Sequence, residues 1–104
     1  MITTEQAVNA ICGEAAGEPY RAKLAIACVM RNRGSLVGIY GIGASHISRE
    51  TLKTLNECSR AWLESSTNDI THGCKHFGGK IDDKYFQSIG LKPVMTIHNT
   101  RIYK

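Results

Sequence analysis

Between Arg21 and Arg31 the chain carries seven consecutive apolar residues, Leu24-Ala25-Ile26-Ala27-Cys28-Val29-Met30, in a segment that Pro19 opens and Gly34 closes. Proline suits the first turn of a helix and glycine the position just past its end, so the pattern predicts one helix running to Arg33. A helix that is apolar all round offers no face to water and has to be covered on every side. The other elements must therefore wrap around this one, and a chain of 104 residues can do so as one domain, residues 1–104.

The flanking patterns supply the wrapping. Thr3 and Gln6 form a capping-box signature, after which Ala7, Val8, Ile11, Cys12 and Ala15 share one helical face up to a stop at Gly17. From Ser35 to Ile47 the glycines Gly38, Gly41 and Gly43, with Tyr40, predict a mobile surface loop. Ser48 is placed to cap a third helix, whose stripe is Leu52, Leu55, Ser59, Trp62 and Leu63. Glu50, Lys53, Glu57, Arg60 and Glu64 alternate in sign opposite that stripe and are expected to be a solvated face. After the polar break 65–69, His72 to Phe77 read as a short strand ending at Gly78-Gly79, and Val94 to Tyr103 as a hairpin turning at His98-Asn99. The expected fold class is α+β, mainly helical with a small β element.

Charge and composition narrow the partners. A formal charge of +4 and a pI near 9.0 favour a polyanionic partner: nucleic acid, an anionic lipid surface or an acidic cell-wall polymer. No apolar run approaches the roughly 20 residues a membrane helix needs, so stable membrane insertion is not expected. The opening Met1-Ile2-Thr3-Thr4-Glu5 has neither a basic leader nor an apolar core, so synthesis in the cytoplasm without a secretory signal is expected. Cys12, Cys28, Cys58 and Cys74 show no C-x-x-C spacing and are expected to be reduced, buried thiols.

One carboxylate stands out chemically. Glu14 falls in the last turn of the first helix, within Cys12-Gly13-Glu14-Ala15-Ala16-Gly17, where its neighbours are almost all small or apolar. A poorly hydrated carboxyl there would have its charged form disfavoured, which is how a glutamic acid stays able to donate a proton near neutral pH. Such a group suits a glycosidase acid.

Several segments together resemble the cell wall hydrolase family that includes the catalytic domains of spore-cortex-lytic enzymes. Gly13-Glu14-Ala15-Ala16-Gly17-Glu18 and the apolar helix ending in Asn32-Arg33 are similar to its opening, G-E-A-x-G-E followed by N-R. Ala61-Trp62-Leu63 and Asp69-Ile70-Thr71-His72-Gly73-Cys74-Lys75-His76-Phe77 resemble its central segment, and Thr96 to Tyr103 its closing T-I-G-x-H-x-F-Y. The chain departs from the pattern at Ile70, Cys74, His98, Thr100 and Ile102.

The resemblance implies a lysozyme-like fold acting on bacterial peptidoglycan, cleaving between N-acetylmuramic acid and N-acetylglucosamine. Glu14 matches the family's catalytic glutamate, and a compact chain of this kind looks like a phage endolysin, delivered to the wall by a separate pore-forming protein. Glycoside hydrolysis pairs the acid with a second carboxylate, for which Glu18 and Asp69 are candidates. A lytic transglycosylase instead uses one glutamate as acid and then base, and this is the favoured reading over a hydrolytic muramidase. Glu18, Tyr40, Asp69, Thr71, Phe77 and Tyr103 are the candidate substrate-binding residues.

Other classes have weaker footing. His72, Cys74 and His76 would share one side of a strand and could hold zinc, but no fourth ligand is evident, so neither metal nor cofactor is expected. Two helices joined by a tight turn in a basic protein also open a helix-turn-helix domain. Its recognition helix must show polar side chains to the groove, whereas the second helix here is apolar through its middle, so nucleic acid is not the expected partner. A monomer is expected.

Overall fold

The computed structural model describes all residues, Met1–Lys104. Helix α1 spans Thr4–Ala15, α2 Tyr20–Arg33 and α3 Leu52–Glu64, with 3₁₀ turns at Tyr40–Gly43 and Ser45–Arg49 between the last two. Strand β1, His76–Gly78, leads through a 3₁₀ turn, Lys80–Asp82, into a short helix α4, Asp83–Ser88. Strands β2, Pro93–Ile97, and β3, Thr100–Tyr103, complete a three-stranded antiparallel sheet in the order β1-β3-β2. No helix is long and apolar enough to cross a membrane.

The apolar run does form the centre. Ala22 to Met30 are buried without interruption, and α1, α3 and the sheet cover α2 from different sides. Gly34 closes α2 with φ +69°, and its N–H reaches the Met30 carbonyl at 2.9 Å. The capping box at α1 is present in both directions, Gln6 N–H to Thr3 Oγ1 at 3.1 Å and Thr3 N–H to Gln6 Oε1 at 3.0 Å. All four thiols are free and buried; desolvation pushes Cys28 up to about 11 and Cys58 up to about 12.

Lys23 lies in the first turn of α2, just before the apolar run, and is buried as deeply as its neighbours. Its ammonium donates to the Glu18 carbonyl and lies 3.4 Å from Glu57 Oε1, tying the α1–α2 connection to α3. A buried cation is tolerable only with such partners. The charged ridge of α3 is thus not simply solvated. Glu57 faces Lys23, and Glu64 accepts from Tyr20 Oη at 2.8 Å and Asn68 Nδ2 at 2.9 Å.

Three further expectations change. Thr51, not Ser48, caps α3, accepting from the Thr54 N–H at 3.1 Å, and Ser48 sits in the preceding 3₁₀ turn. The buried stripe of α3 is Cys58, Ala61 and Trp62, with Leu55 half-buried against the core, whereas Leu52 and Leu63 are exposed. The strand expected over His72 to Phe77 starts only at His76, because the backbone turns through positive φ at His72 (54°) and Gly73 (90°). His72, Cys74 and His76 therefore do not line one side of a strand, and the geometric premise of a zinc trio is gone.

Candidate active site

Glu14 stands where two hollows meet. One, of about 770 Å³, is lined by Gly13 to Glu18, His46, Glu50, Phe77 to Gly79, Asp82 and the turn 98–100. The other, of about 550 Å³, is lined by Arg33, Gly38 to Tyr40, His76 to Gly78, Asp82, Tyr85, Phe86 and Ile89. Glu14, Phe77, Gly78 and Asp82 border both, so the two are arms of one groove. Helix α1 forms part of one wall and the β1–α4 segment part of the other.

The carboxylate is held from one side only. The Gly41 N–H donates to Glu14 Oε1 at 2.9 Å, and Oε2 has no protein partner. Two glycines make this approach possible: a methyl group at Gly13 would lie 1.7 Å from the Gly41 carbonyl oxygen, and one at Gly41 would lie 2.7 Å from Glu14 Cγ. Contrary to the sequence expectation, Glu14 is exposed to solvent. Its small neighbours, which suggested poor hydration, leave it uncovered because nothing large projects over it.

The other carboxylates along the groove are engaged to different degrees. Glu18 accepts from His98 Nδ1 at 2.7 Å, the Asn99 N–H at 2.9 Å, Asn99 Nδ2 at 3.4 Å and Thr100 Oγ1 at 3.1 Å. Burial alone would raise its pKa, but these donors outweigh it and hold the carboxyl below its usual value. Glu18 thus clasps the α1–α2 connection to the β2–β3 hairpin. Glu50 faces His46 Nδ1 at 2.8 Å, and Asp82 accepts the Gly79 N–H at 2.8 Å.

Asp69 lies away from the groove. Burial works against its ionised form, but Thr71 Oγ1 at 2.6 Å, Asn32 Nδ2 at 2.9 Å and the N–H groups of Gly73 and Thr71, at 2.8 and 2.9 Å, hold its pKa far below the carboxylate range. Asn32 also donates to the Cys74 carbonyl at 3.0 Å, so the Asp69-Thr71 turn is pinned to the end of α2 and positions the approach to β1. Neither Asp69 nor Thr71 borders either arm, which removes both from direct contact with a ligand there.

Of the aromatic candidates, Tyr40 is 86% exposed and borders the second arm, and Phe77 is half-buried between the arms. Tyr103 is fully buried, its ring 4.2 Å from that of Phe86 and its hydroxyl donating to Asp83 Oδ1 at 2.5 Å, with the Gly79 carbonyl oxygen 3.1 Å away. It is a core residue and cannot stack on a sugar. The sequence reading missed α4, which brings Tyr85 to the second arm, and missed His46, Glu50 and Asp82. His76, in the same arm as Tyr85, has its pKa lowered by burial first and then by Arg33 and Lys75, which favours its neutral form.

No family model and no curated protein matches the sequence. Among solved structures, the catalytic domain of the Bacillus cereus SleB protein superposes with a TM-score of 0.69 at 19% identity, over 97% of this chain and 88% of that one. The catalytic domain of the germination-specific lytic transglycosylase SleB from Bacillus anthracis gives 0.69 and 19%, over 97% of this chain and 93% of that one. The fold is that of the SleB catalytic domain. The α+β expectation holds, and the likeness extends over nearly the whole chain.

Proposed function

We propose that the protein is a peptidoglycan lytic transglycosylase, cleaving the bond between N-acetylmuramic acid and N-acetylglucosamine with Glu14 as acid and then base. The observation that carries this reading is Glu14 itself: an exposed carboxylate at the junction of two arms, in the fold of the SleB catalytic domain, with one oxygen fixed and the other free. A glycan strand lying along both arms has sugar units on either side of Glu14.

The chemistry follows from that placement. Glu14 Oε2 gives its proton to the glycosidic oxygen as the muramic C1–O bond breaks and the glucosamine unit leaves. Positive charge on the muramic ring develops beside the carboxylate just formed, which stabilises it electrostatically. The muramic 6-hydroxyl then bonds to C1 and passes its proton to Glu14, closing a 1,6-anhydro ring and restoring the acid. No water enters the balance.

Hydrolysis would call for a second free carboxylate to activate water or bond to the sugar. Glu18 is saturated by the hairpin and Glu50 is tied to His46, whereas Asp82 takes the Gly79 N–H on Oδ2 and keeps its other oxygen open, so the one-carboxylate route draws its support from the likeness to the SleB lytic transglycosylase fold. Tyr40, Tyr85 and Phe77 offer faces for pyranose rings, and Glu18 supports the wall of the groove rather than the sugar. Mass spectrometry of sacculi digested with the protein tests this. Anhydromuramic ends are expected; new reducing ends would replace transglycosylation with hydrolysis, and undigested sacculi would overturn the proposal.

A further inference from the structure

His46 sits in the 3₁₀ turn Ser45–Arg49, in the segment expected to be a mobile loop, and both of its ring nitrogens face oxygen atoms of other residues. Nδ1 lies 2.8 Å from Glu50 Oε2 and Nε2 lies 3.2 Å from the Gly13 carbonyl. Both partners are acceptors, and a neutral imidazole carries one N–H, so only the imidazolium satisfies both contacts at once.

The Gly13 carbonyl is not an arbitrary partner. It belongs to the last turn of α1, where helical carbonyls run out of backbone donors, and no backbone N–H reaches it. A cation at that end also meets the negative pole of the helix. Gly13 immediately precedes Glu14, and the segment carrying His46 also carries Gly41, whose N–H holds Glu14 Oε1. Two points of one segment therefore grip one turn of α1, the amide on the reacting side chain and the imidazole on the backbone beside it.

We propose that His46, as an imidazolium, is a positioning residue for Glu14, clamping the Tyr40–Glu50 segment onto the end of α1 so that the Gly41 amide stays on the carboxylate. The inference rests on the transglycosylase reading for its effect on turnover, though not for the clamp. The groups that face His46 or its partners come from several elements: Glu50 and Arg49 on its own segment, Cys12 and Glu14 on α1, and Glu18, Asp82 and His98 around the same arm. Carboxylates outnumber cations in that set. Its hydrogen bonds to Glu50 first and Gly13 second raise the His46 pKa, with desolvation and then Arg49 acting in the opposite sense. A raised folded pKa means that the clamp is complete below the unfolded value of about 6.5 and is lost as pH rises through the folded value.

The test combines NMR and kinetics on the wild type, His46→Gln and Glu50→Gln. In the wild type the His46 ring is expected to titrate above about 6.5, and the Gly41 amide resonance to shift through the same midpoint. Glu50→Gln is expected to lower that midpoint, and His46→Gln to abolish the Gly41 transition while the thermal midpoint of the fold stays close to the parent's. On sacculi, His46→Gln is expected to lose about tenfold to a hundredfold in kcat with a smaller change in KM, and to lose the inflection that coincides with the ring titration.

A Gly41 amide that ignores the ring titration, or a His46→Gln enzyme with the parent's pH profile, would overturn the clamp. A Glu14→Gln enzyme that still cleaves glycan would instead overturn the functional reading, and the NMR result would stand apart from it.

Discussion

The Gly41 amide and the Glu14 carboxylate, separated by 27 residues in sequence, meet at 2.9 Å because neither Gly13 nor Gly41 carries a side chain to keep the two segments apart. The site is thus made by backbone proximity as much as by the acid. A methyl group at Gly13 would lie 1.7 Å from a backbone oxygen, and backbone cannot swing aside as a flexible side chain can.

Gly13→Ala is therefore expected to cost about 1–3 kcal/mol of stability, as overpacking does, and to weaken the hold on Glu14. Gly17→Ala is its control: nothing lies within 4 Å of a methyl group there, and the backbone is not in the left-handed region. That change is expected to be neutral or stabilising by roughly 0.4–1 kcal/mol through the unfolded chain. Denaturant melts of the two variants check the contrast; equal destabilisation would contradict the close approach.

Glu18 is expected to act on stability with a defined pH sign. Its folded pKa lies below the ordinary glutamate value of about 4.3, so its contribution is complete above that pH and is lost as pH falls through the folded pKa. Glu18→Gln keeps the shape but not the charge, and is expected to cost about 1–3 kcal/mol at neutral pH, with the difference from the parent shrinking in acid. Thermal melts from pH 7 to pH 3 read this directly. A constant difference across that range would remove the clasp.

Tyr40 and Tyr85 border the same arm, 86% and 63% exposed, from segments that flank it. Tyr40→Ala and Tyr85→Ala are each expected to raise KM for glycan strands about two- to tenfold, the worth of an aromatic contact, with little change in kcat. Steady-state turnover of soluble glycan fragments separates the two constants. An unchanged KM in both variants would move the sugar out of this arm.

The central helix was legible because seven apolar residues between a proline and a glycine leave one solution, and the hairpin because His98-Asn99 divides two strand-like runs. Glu14 was legible as a position, from small residues at a helix end, but not as an environment. Whether such a residue is covered depends on what crosses above it, and the crossing segment shows no strong periodicity of its own. Helix α4 was invisible for a related reason: six residues, with no side-chain cap, carry too little pattern. Tyr103 was misread because a strand residue near a chain end resembles a surface aromatic until Phe86 is known to pack on it. His46 gave no signal, since its partners are a backbone carbonyl on α1 and a carboxylate four residues away.

The most direct test is muropeptide analysis of sacculi treated with the wild type and with Glu14→Gln, side by side and at matched thermal stability. The amide keeps the side chain's size and its contact with Gly41 but cannot deliver a proton, so anhydromuramic products are expected from the wild type and none from the variant. The same products from Glu14→Gln, at a comparable rate, would contradict the account.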